Sequence, residues 1–264
     1  MHLSKKLESE LKKFKSAENI EEFVKARRLM TRISPFDWYR IKLMGDILQR
    51  QSFLGNILDI GSNIGSMAKF YRDHSCQITF CDVDAFIIKG AKIANIHSAK
   101  LNFTCGDIRN LPFKDSNFDT IIVLETIEHL HRYDRTHALE EILRVAKPNA
   151  NIYISTPNRF SLAGLEGRII EFFLKNYKWD AWNADHRYVY HSWEFIRFLR
   201  DFNDRIEIKR IYGSYFLPGS SLVRMPFFIQ RILGFFSYLI ARYIGYLFPF
   251  RYLGFTTIIS FKKI

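Results

Sequence analysis

The sequence predicts an α/β fold with one mostly parallel sheet and helices on both faces, and three observations carry that expectation. Short β-rich runs at 57–60, 77–83, 101–105, 119–124 and 151–155 alternate with helical stretches at 66–73, 85–95 and 135–146. Such alternation is what parallel strands joined by crossover helices require. A glycine turn at Gly61 and Gly65 follows the first run, where folds of this kind bind ligands. The 264 residues suit one decorated domain better than two full ones.

Ahead of the sheet, Leu3, Leu7, Leu11 and Phe14 recur at helical spacing, and Ile20, Phe23 and Val24 resume it after a cap at Ser16 or Asn19. Ser34-Pro35-Phe36-Asp37 reads as N-cap, proline at the first helical position and an early acid, opening a helix toward Arg50. Residues 1–50 are therefore expected to be helices covering the site, and 51–264 the main domain. After Trp193 a helix runs to about Phe202, a strand follows at 205–212, then a very apolar stretch at 215–253 and a last strand at 255–262. That makes seven strands.

The net charge of +12 is unevenly spread: residues 1–50 carry 12 Lys/Arg against 7 Asp/Glu, residues 51–150 carry 11 against 12, and residues 151–264 carry 16 against 8. Positive ends suit a membrane surface, a nucleic acid or an acidic substrate. Cys76, Cys81 and Cys105 lack CxxC spacing, which argues against a disulfide framework or a zinc knuckle. With a charged, acid-containing N-terminus, the reading is a cytoplasmic protein.

Residues 57–65, ILDIGSNIG, form an apolar strand entering a glycine turn that opens a helix at Ser66. Gly61 and Gly65 lack the Cβ atoms that would keep a ligand from the backbone. A tight structural turn would use the same glycines. The next strand, ITFCDVD, ends at Asp82, 21 residues after Gly61, and an acid there can accept hydrogen bonds from a ribose diol. Nicotinamide dehydrogenases share that geometry, although Gly61 and Gly65 do not give GxGxxG spacing. The third piece is FTCGDIRNLPFKDSNFDTIIVLETIEHL (103–130), and a fourth, RVAKPNANIYISTPN, spans 144–158.

These four motifs in order resemble the ubiquinone/menaquinone-type methyltransferases of the class I S-adenosylmethionine-dependent family, over roughly residues 50–210. The resemblance implies a Rossmann-like methyltransferase fold: a seven-stranded, mostly parallel sheet with an antiparallel last strand and helices on both faces. It implies an enzyme that uses S-adenosyl-L-methionine as cofactor. Asp59, Gly61, Ser62 and Gly65 would surround the methionine end, Asp82 with Val83 would serve the ribose, and Asp107 with Ile108 the adenine. Glu125 would sit near the sulfonium. Asn63 stands where the family usually has its middle glycine, and asparagine is the residue that best tolerates positive φ after glycine. The reaction needs no protein nucleophile, only alignment of the acceptor with the activated methyl.

Glu125, Glu128 and His129 form ExxEH, whose spacing on an α-helix would put all three on one face. Glu125, His129 and His186 are the candidate catalytic residues, as acid–base groups beside the acceptor. Related enzymes use ExxEH with a later histidine as metal ligands, so Glu125, Glu128, His129 and His186 form a secondary divalent-metal set, not the favoured reading. The insertion at 157–190 carries Phe172, Phe173, Tyr177, Trp179, Trp182, Tyr188 and Tyr190, which would either line an apolar acceptor pocket or pack as a lid.

Residues 222–250 contain no charge-free run long enough to span a bilayer. On one helical projection Arg224, Arg231 and Arg242 fall together, the form of an interfacial helix with a peripheral membrane contact; a homodimer interface or a lid would use the same surface. The leading expectation is methyl transfer to an oxygen, or secondarily a carbon, of a hydrophobic or lipid-linked small molecule. The rival readings are an RNA ribose 2′-O-methyltransferase and a non-catalytic, membrane-associated protein on the same scaffold. No basic stripe interleaved with aromatics runs along the core, which counts against nucleic acid.

Overall fold

Ile57-Leu58-Asp59-Ile60 has no exposed position, and neither has Ile78-Thr79-Phe80-Cys81-Asp82. Strands covered on both faces are built from such continuous runs rather than from alternation. They form the middle of the sheet in a computed structural model that describes residues 19–25, 35–50, 55–71, 77–95, 101–173, 187–216 and 226–264.

The elements follow in the order α1 (Pro35–Gln49), β1 (Ile57–Ile60), α2 (Ala68–Tyr71), β2 (Ile78–Asp82), α3 (Ala85–Ala94), β3 (Leu101–Cys105) and β4 (Phe118–Leu124). A 3₁₀ turn (Ile127–His129) leads to α4 (Arg132–Val145), β5 (Ala146–Pro157), α5 (Leu162–Phe173), α6 (Ser192–Arg200) and β6 (Ile206–Ser214). Then come α7 (Phe227–Tyr243), α8 (Phe250–Leu253) and β7 (Thr256–Lys263). A helical turn over 20–25 starts at Asn19, whose Oδ1 accepts the Glu21 N–H at 2.9 Å. Its Phe23 and Val24 pack with Ile64, Phe86 and Ile87, beside the glycine turn. Ser16 and the first predicted helix lie outside the described residues.

The seven strands run β3-β2-β1-β4-β5-β7-β6. Neighbours are parallel except at β7, which pairs antiparallel with both β5 and β6. The expected seven-stranded, mostly parallel sheet with an antiparallel last strand is therefore the observed one. Two cores sandwich it. Ala138, Leu139, Ile142 and Leu143 of α4 and Phe195, Ile196 and Leu199 of α6 fill one face, and Leu43, Met44, Ile47 and Leu48 of α1 with Tyr238 and Ala241 of α7 fill the other.

Two of the motifs prove to be one clamp. Arg144, from the fourth, donates to the carbonyls of Leu111 (2.9 Å) and Phe113 (2.8 Å) in the third, and to both oxygens of Glu141. Glu141 Oε2 in turn accepts the Leu111 N–H at 2.7 Å. The arginine and the LPF turn are each other's hydrogen-bond complement. Several boundaries differ from expectation. The helix expected from 66 starts at Ala68, because the turn itself occupies the residues through Met67, and residues 72 and 73 lie outside the described residues; α4 starts at Arg132 rather than 135, and β5 runs from Ala146 through Thr156 and Pro157, where seven residues pair with β7.

Candidate cofactor and acceptor site

From β1 the chain builds outward in both directions, β2 and β3 to one side and β4 to the other. The gap between the loops leaving β1 and β4 is the crevice in which open α/β sheets take ligands. The turn after β1 is fixed by backbone: Gly61 N–H and Ser62 N–H both donate to Cys81 O, at 2.8 and 3.2 Å. Gly61 (φ +66), Asn63 (φ +51) and Gly65 (φ +73) all take left-handed conformations. Asn63 thus does what its side chain tolerates, and in that conformation its N–H reaches Asp82 Oδ2 at 3.1 Å while its own Oδ1 accepts from Ile64 N–H at 2.9 Å.

The glycines are also needed by the protein's own packing. A Cβ on Gly61 would stand 2.1 Å from Thr126 Oγ1, and one on Gly65 2.9 Å from Asn95 Nδ2. Part of the room at each glycine is taken by one of the protein's own side chains. Thr126 and Asn95 carried no signal in a reading based on glycine spacing.

Asp82 ends β2, 9% exposed, with its two oxygens accepting the N–H groups of Asn63 and Asp84. Burial raises its carboxyl above the usual range, against those two N–H groups, which favour the ionised form. Carboxylate oxygens with one donor each retain lone pairs for a diol. Ser62, 7% exposed, has a buried Oγ with no hydrogen-bond partner among the described residues. Asp59 is buried inside β1, Val83 is exposed beside Asp82, and Ile108 is buried. The Cys81 thiol is pushed up to about 12, chiefly by burial and then by Asp82, so it is no nucleophile.

Asp107 is engaged. Arg109 Nη2 and Nε reach its carboxylate at 2.6 and 3.0 Å, and Nη1 of the same arginine reaches Asp134 at 3.1 Å. The Arg109 guanidinium holds the Asp107 carboxyl below the usual range. Arg109 sits inside the GD-LPF motif, two residues from the acid it holds.

Glu125 follows β4 with φ +51, and Ser155 Oγ of β5 reaches its Oε1 at 2.8 Å while its N–H points back to Ser155. A non-glycine residue in this region costs backbone energy and is held there by its surroundings. The expected shared helical face for ExxEH is corrected: Glu125 precedes the 3₁₀ turn, Glu128 is fully buried and His129 is exposed. A 3₁₀ turn does not carry the i, i+4 geometry of an α-helix. Among the described residues no three His, Cys, Asp or Glu side chains are gathered to hold a metal ion. His186, Tyr177, Trp179 and Trp182 lie outside the described residues.

The rest of the aromatic insertion divides. Tyr190 is buried against Phe195 and Phe198, and Tyr188 and Tyr190 both lie over the guanidinium of the fully buried Arg135, at 5.0 and 4.5 Å. Ile169, Phe172 and Phe173 at the end of α5 are exposed. Asn158, unremarked within TPN, is 1% exposed and is a hub: its Nδ2 donates to Phe160 O, Tyr252 O and Gly254 O, and its Oδ1 accepts from Phe160 and Ser192 N–H.

Comparison with known proteins meets this geometry. A methyltransferase-domain family model matches residues 58–154, the stretch from β1 to β5. Over that stretch the chain is similar to methyltransferase domains. Norajmaline N-methyltransferase of Rauvolfia serpentina is 36% identical over 103 residues, 38% of this chain and 35% of that one. Demethylmenaquinone methyltransferase of Paenarthrobacter aurescens is 29% identical over 99 residues, 38% and 37% of the two chains. The match thus spans about a third of each relative's length. A solved S-adenosylmethionine-dependent methyltransferase of Thermotoga maritima, a possible histamine N-methyltransferase, superposes with a TM-score of 0.60 at 18% identity, over 92% of this chain and 98% of that one. That likeness is one of fold.

The resemblance of these motifs implies S-adenosylmethionine as the cofactor, and the residues offer groups of matching chemistry. Asp82 offers acceptors for a diol, and the Ser62 hydroxyl, without a partner among the described residues, offers a donor or acceptor at the turn.

Proposed function

We propose that this protein transfers a methyl group from S-adenosylmethionine to an oxygen, or secondarily a carbon, of a hydrophobic or lipid-linked small molecule, as a cytoplasmic enzyme. The observation that carries the reading is the Asp82 carboxylate, buried at the end of β2 and oriented by backbone N–H groups of Asn63 and Asp84 at the sheet's ligand crevice. In the mechanism the bound cofactor supplies an activated methyl group on a sulfonium. The chain's part is to bind and align. Asp59, Gly61, Ser62 and Gly65 face the methionine end, Asp82 and Val83 the ribose, and Asp107 and Ile108 the adenine. Glu125, held by Ser155, places negative charge near the reacting centre. An acceptor hydroxyl that must lose its proton would give it to Glu125, His129 or His186.

The apolar acceptor is supported by Ile169, Phe172 and Phe173, exposed on the helix that leaves the end of β5. A nitrogen acceptor is the second reading, favoured by the 36% identity to an alkaloid N-methyltransferase. Titration calorimetry with S-adenosylhomocysteine tests the proposal, with the wild type, with Asp82→Ala, and with and without EDTA. Micromolar binding that the variant loses supports the site; a chelator effect would bring in the Glu125, Glu128, His129 and His186 set. No binding by folded wild-type protein would overturn it.

A further inference from the structure

Helix α7 is apolar on two sides. One side, with Gly234, Ser237, Tyr238 and Ala241, is buried toward α1 and β6. The other leaves Phe228, Ile232, Phe236 and Tyr243 exposed, by 63, 51, 55 and 60%. Residues four apart lie one turn above another, so the first three form one stripe along the helix. Leu247 and Phe248, which follow α7, add to the apolar surface, Phe248 at 75% exposure. A soluble surface rarely carries so large an apolar area without a use for it.

Charge identifies the occupant. Glu207 is the last acid in the sequence: residues 208–264 hold eight Lys or Arg and no Asp or Glu. Of these cations Arg231 is exposed on α7, and neither α7 nor α8 carries an acid, so a second copy would bring Arg231 against a like charge with no carboxylate of these helices to meet it, and like charges across an interface oppose association. An anionic bilayer meets both properties, with an apolar interior for the aromatic stripe and headgroups for the cations. The cations are not all equivalent. Arg231 is exposed on α7, whereas Arg242 turns inward to Asp46 Oδ2 (3.0 Å) and Tyr238 OH (2.6 Å), which corrects the expectation that Arg224, Arg231 and Arg242 share one headgroup face. Arg224 lies outside the described residues. Among those residues no helix is long and apolar enough to cross a membrane, so α7 would lie along the surface.

We propose that the exposed face of α7, continued by Leu247 and Phe248, docks on an anionic lipid bilayer. The segment that follows this platform returns to the working end of the sheet. Helix α8 leads into β7, whose Thr256 pairs with Pro157 at the end of β5, and Asn158 ties Tyr252 O and Gly254 O to the start of α5 at 2.8 Å each. Docking would therefore bring a lipid-linked acceptor to the crevice. That route rests on the proposed function; the docking does not.

The test is co-sedimentation of the full chain with phosphatidylcholine vesicles and with equimolar phosphatidylcholine–phosphatidylglycerol vesicles. Binding to the anionic vesicles, weakened by salt and reduced at least about tenfold in Phe228→Asp/Phe236→Asp, is the expected result. Failure to bind the anionic vesicles, or a variant that binds as well as the wild type, overturns the proposal. So does a dimer, seen by light scattering, that forms in place of vesicle binding and is lost in the variant. Should the double variant melt early, Phe236→Trp replaces it: brominated lipid must quench the added emission, and an unquenched Trp on vesicle-bound protein refutes the contact. S-adenosylhomocysteine binding unchanged in the double variant separates this outcome from failure of the cofactor site.

Discussion

The turn after β1 and the segment between β6 and β7 are both built on close approach and held by opposite means. In the first, side chains fill the space: Thr126 sits against Gly61, Asn95 against Gly65, and a carboxylate, Asp82, gathers the N–H groups. In the second, backbone crosses backbone. A Cβ on Gly254 would stand 2.4 Å from Ser214 N, and one on Gly245 2.4 Å from Ala241 O. The acids follow the same division, 12 in residues 51–150 and none after Glu207. Carboxylates concentrate where polar atoms must be aimed at a small molecule. Where they are missing, the surface is left to apolar and cationic groups.

The largest effect that would sharpen this contrast is expected at Gly61. Gly61→Ala combines a left-handed backbone with a contact of 2.1 Å to Thr126 Oγ1 and should cost about 3 kcal/mol in chemical denaturation. Adding Thr126→Ala should recover roughly half, the packing share, and leave the backbone share. Full recovery would mean that the turn is not strained at all.

Next is Asp82→Asn. Cofactor affinity should fall about 100-fold, near 2.8 kcal/mol at about 1.4 per decade, when S-adenosylhomocysteine is titrated. Stability should not fall with it. Burial raises the carboxyl in the folded state, so its ionisation opposes folding above that raised value, and the amide removes the charge. A variant that lost binding by unfolding would break the assignment. On the other side of the comparison, Tyr238→Phe removes the phenol that bonds Asp46 and accepts from Arg242 where α7 meets α1. About 1 kcal/mol of stability should go, with faster amide exchange in α7 and no change in cofactor binding.

What was legible in the sequence follows the same line. Strand runs, crossover helices and the Asp82 position are local patterns, and each lies where the chain predicts it, with Asn63 in the conformation its chemistry allows. Contacts between motifs were not legible. Nothing local pairs Arg144 with Leu111, Asn158 with Gly254, or Arg242 with Asp46, because those bonds join residues 33, 96 and 196 positions apart. The ExxEH face was misread because residue spacing presumes an α-helix, and the chain leaves β4 through a positive-φ glutamate and a 3₁₀ turn instead.

The smallest effect concerns acid. Arg205 lowers the Glu140 carboxyl and Arg144 the Glu141 carboxyl, each through direct side-chain bonds. A carboxyl lowered in the folded state contributes stability above its unfolded value, about 4.3, and loses it as pH falls through the lower folded value. Stability should therefore be level from neutral pH to about pH 5 and then decline. Glu141→Gln should cost about 1 kcal/mol at pH 7 and flatten that decline, since one of the protonating groups is gone. The segment after Glu207 has no side-chain carboxylate of its own, and among the described residues its links to acid are Asp46 of α1, through Arg242, and Glu207 itself, through Lys209. Amide exchange followed downward in pH should accordingly loosen the LPF turn and α4 before it loosens the β6–β7 pairing. Simultaneous loosening would show that the two regions form one cooperative unit despite their different chemistry.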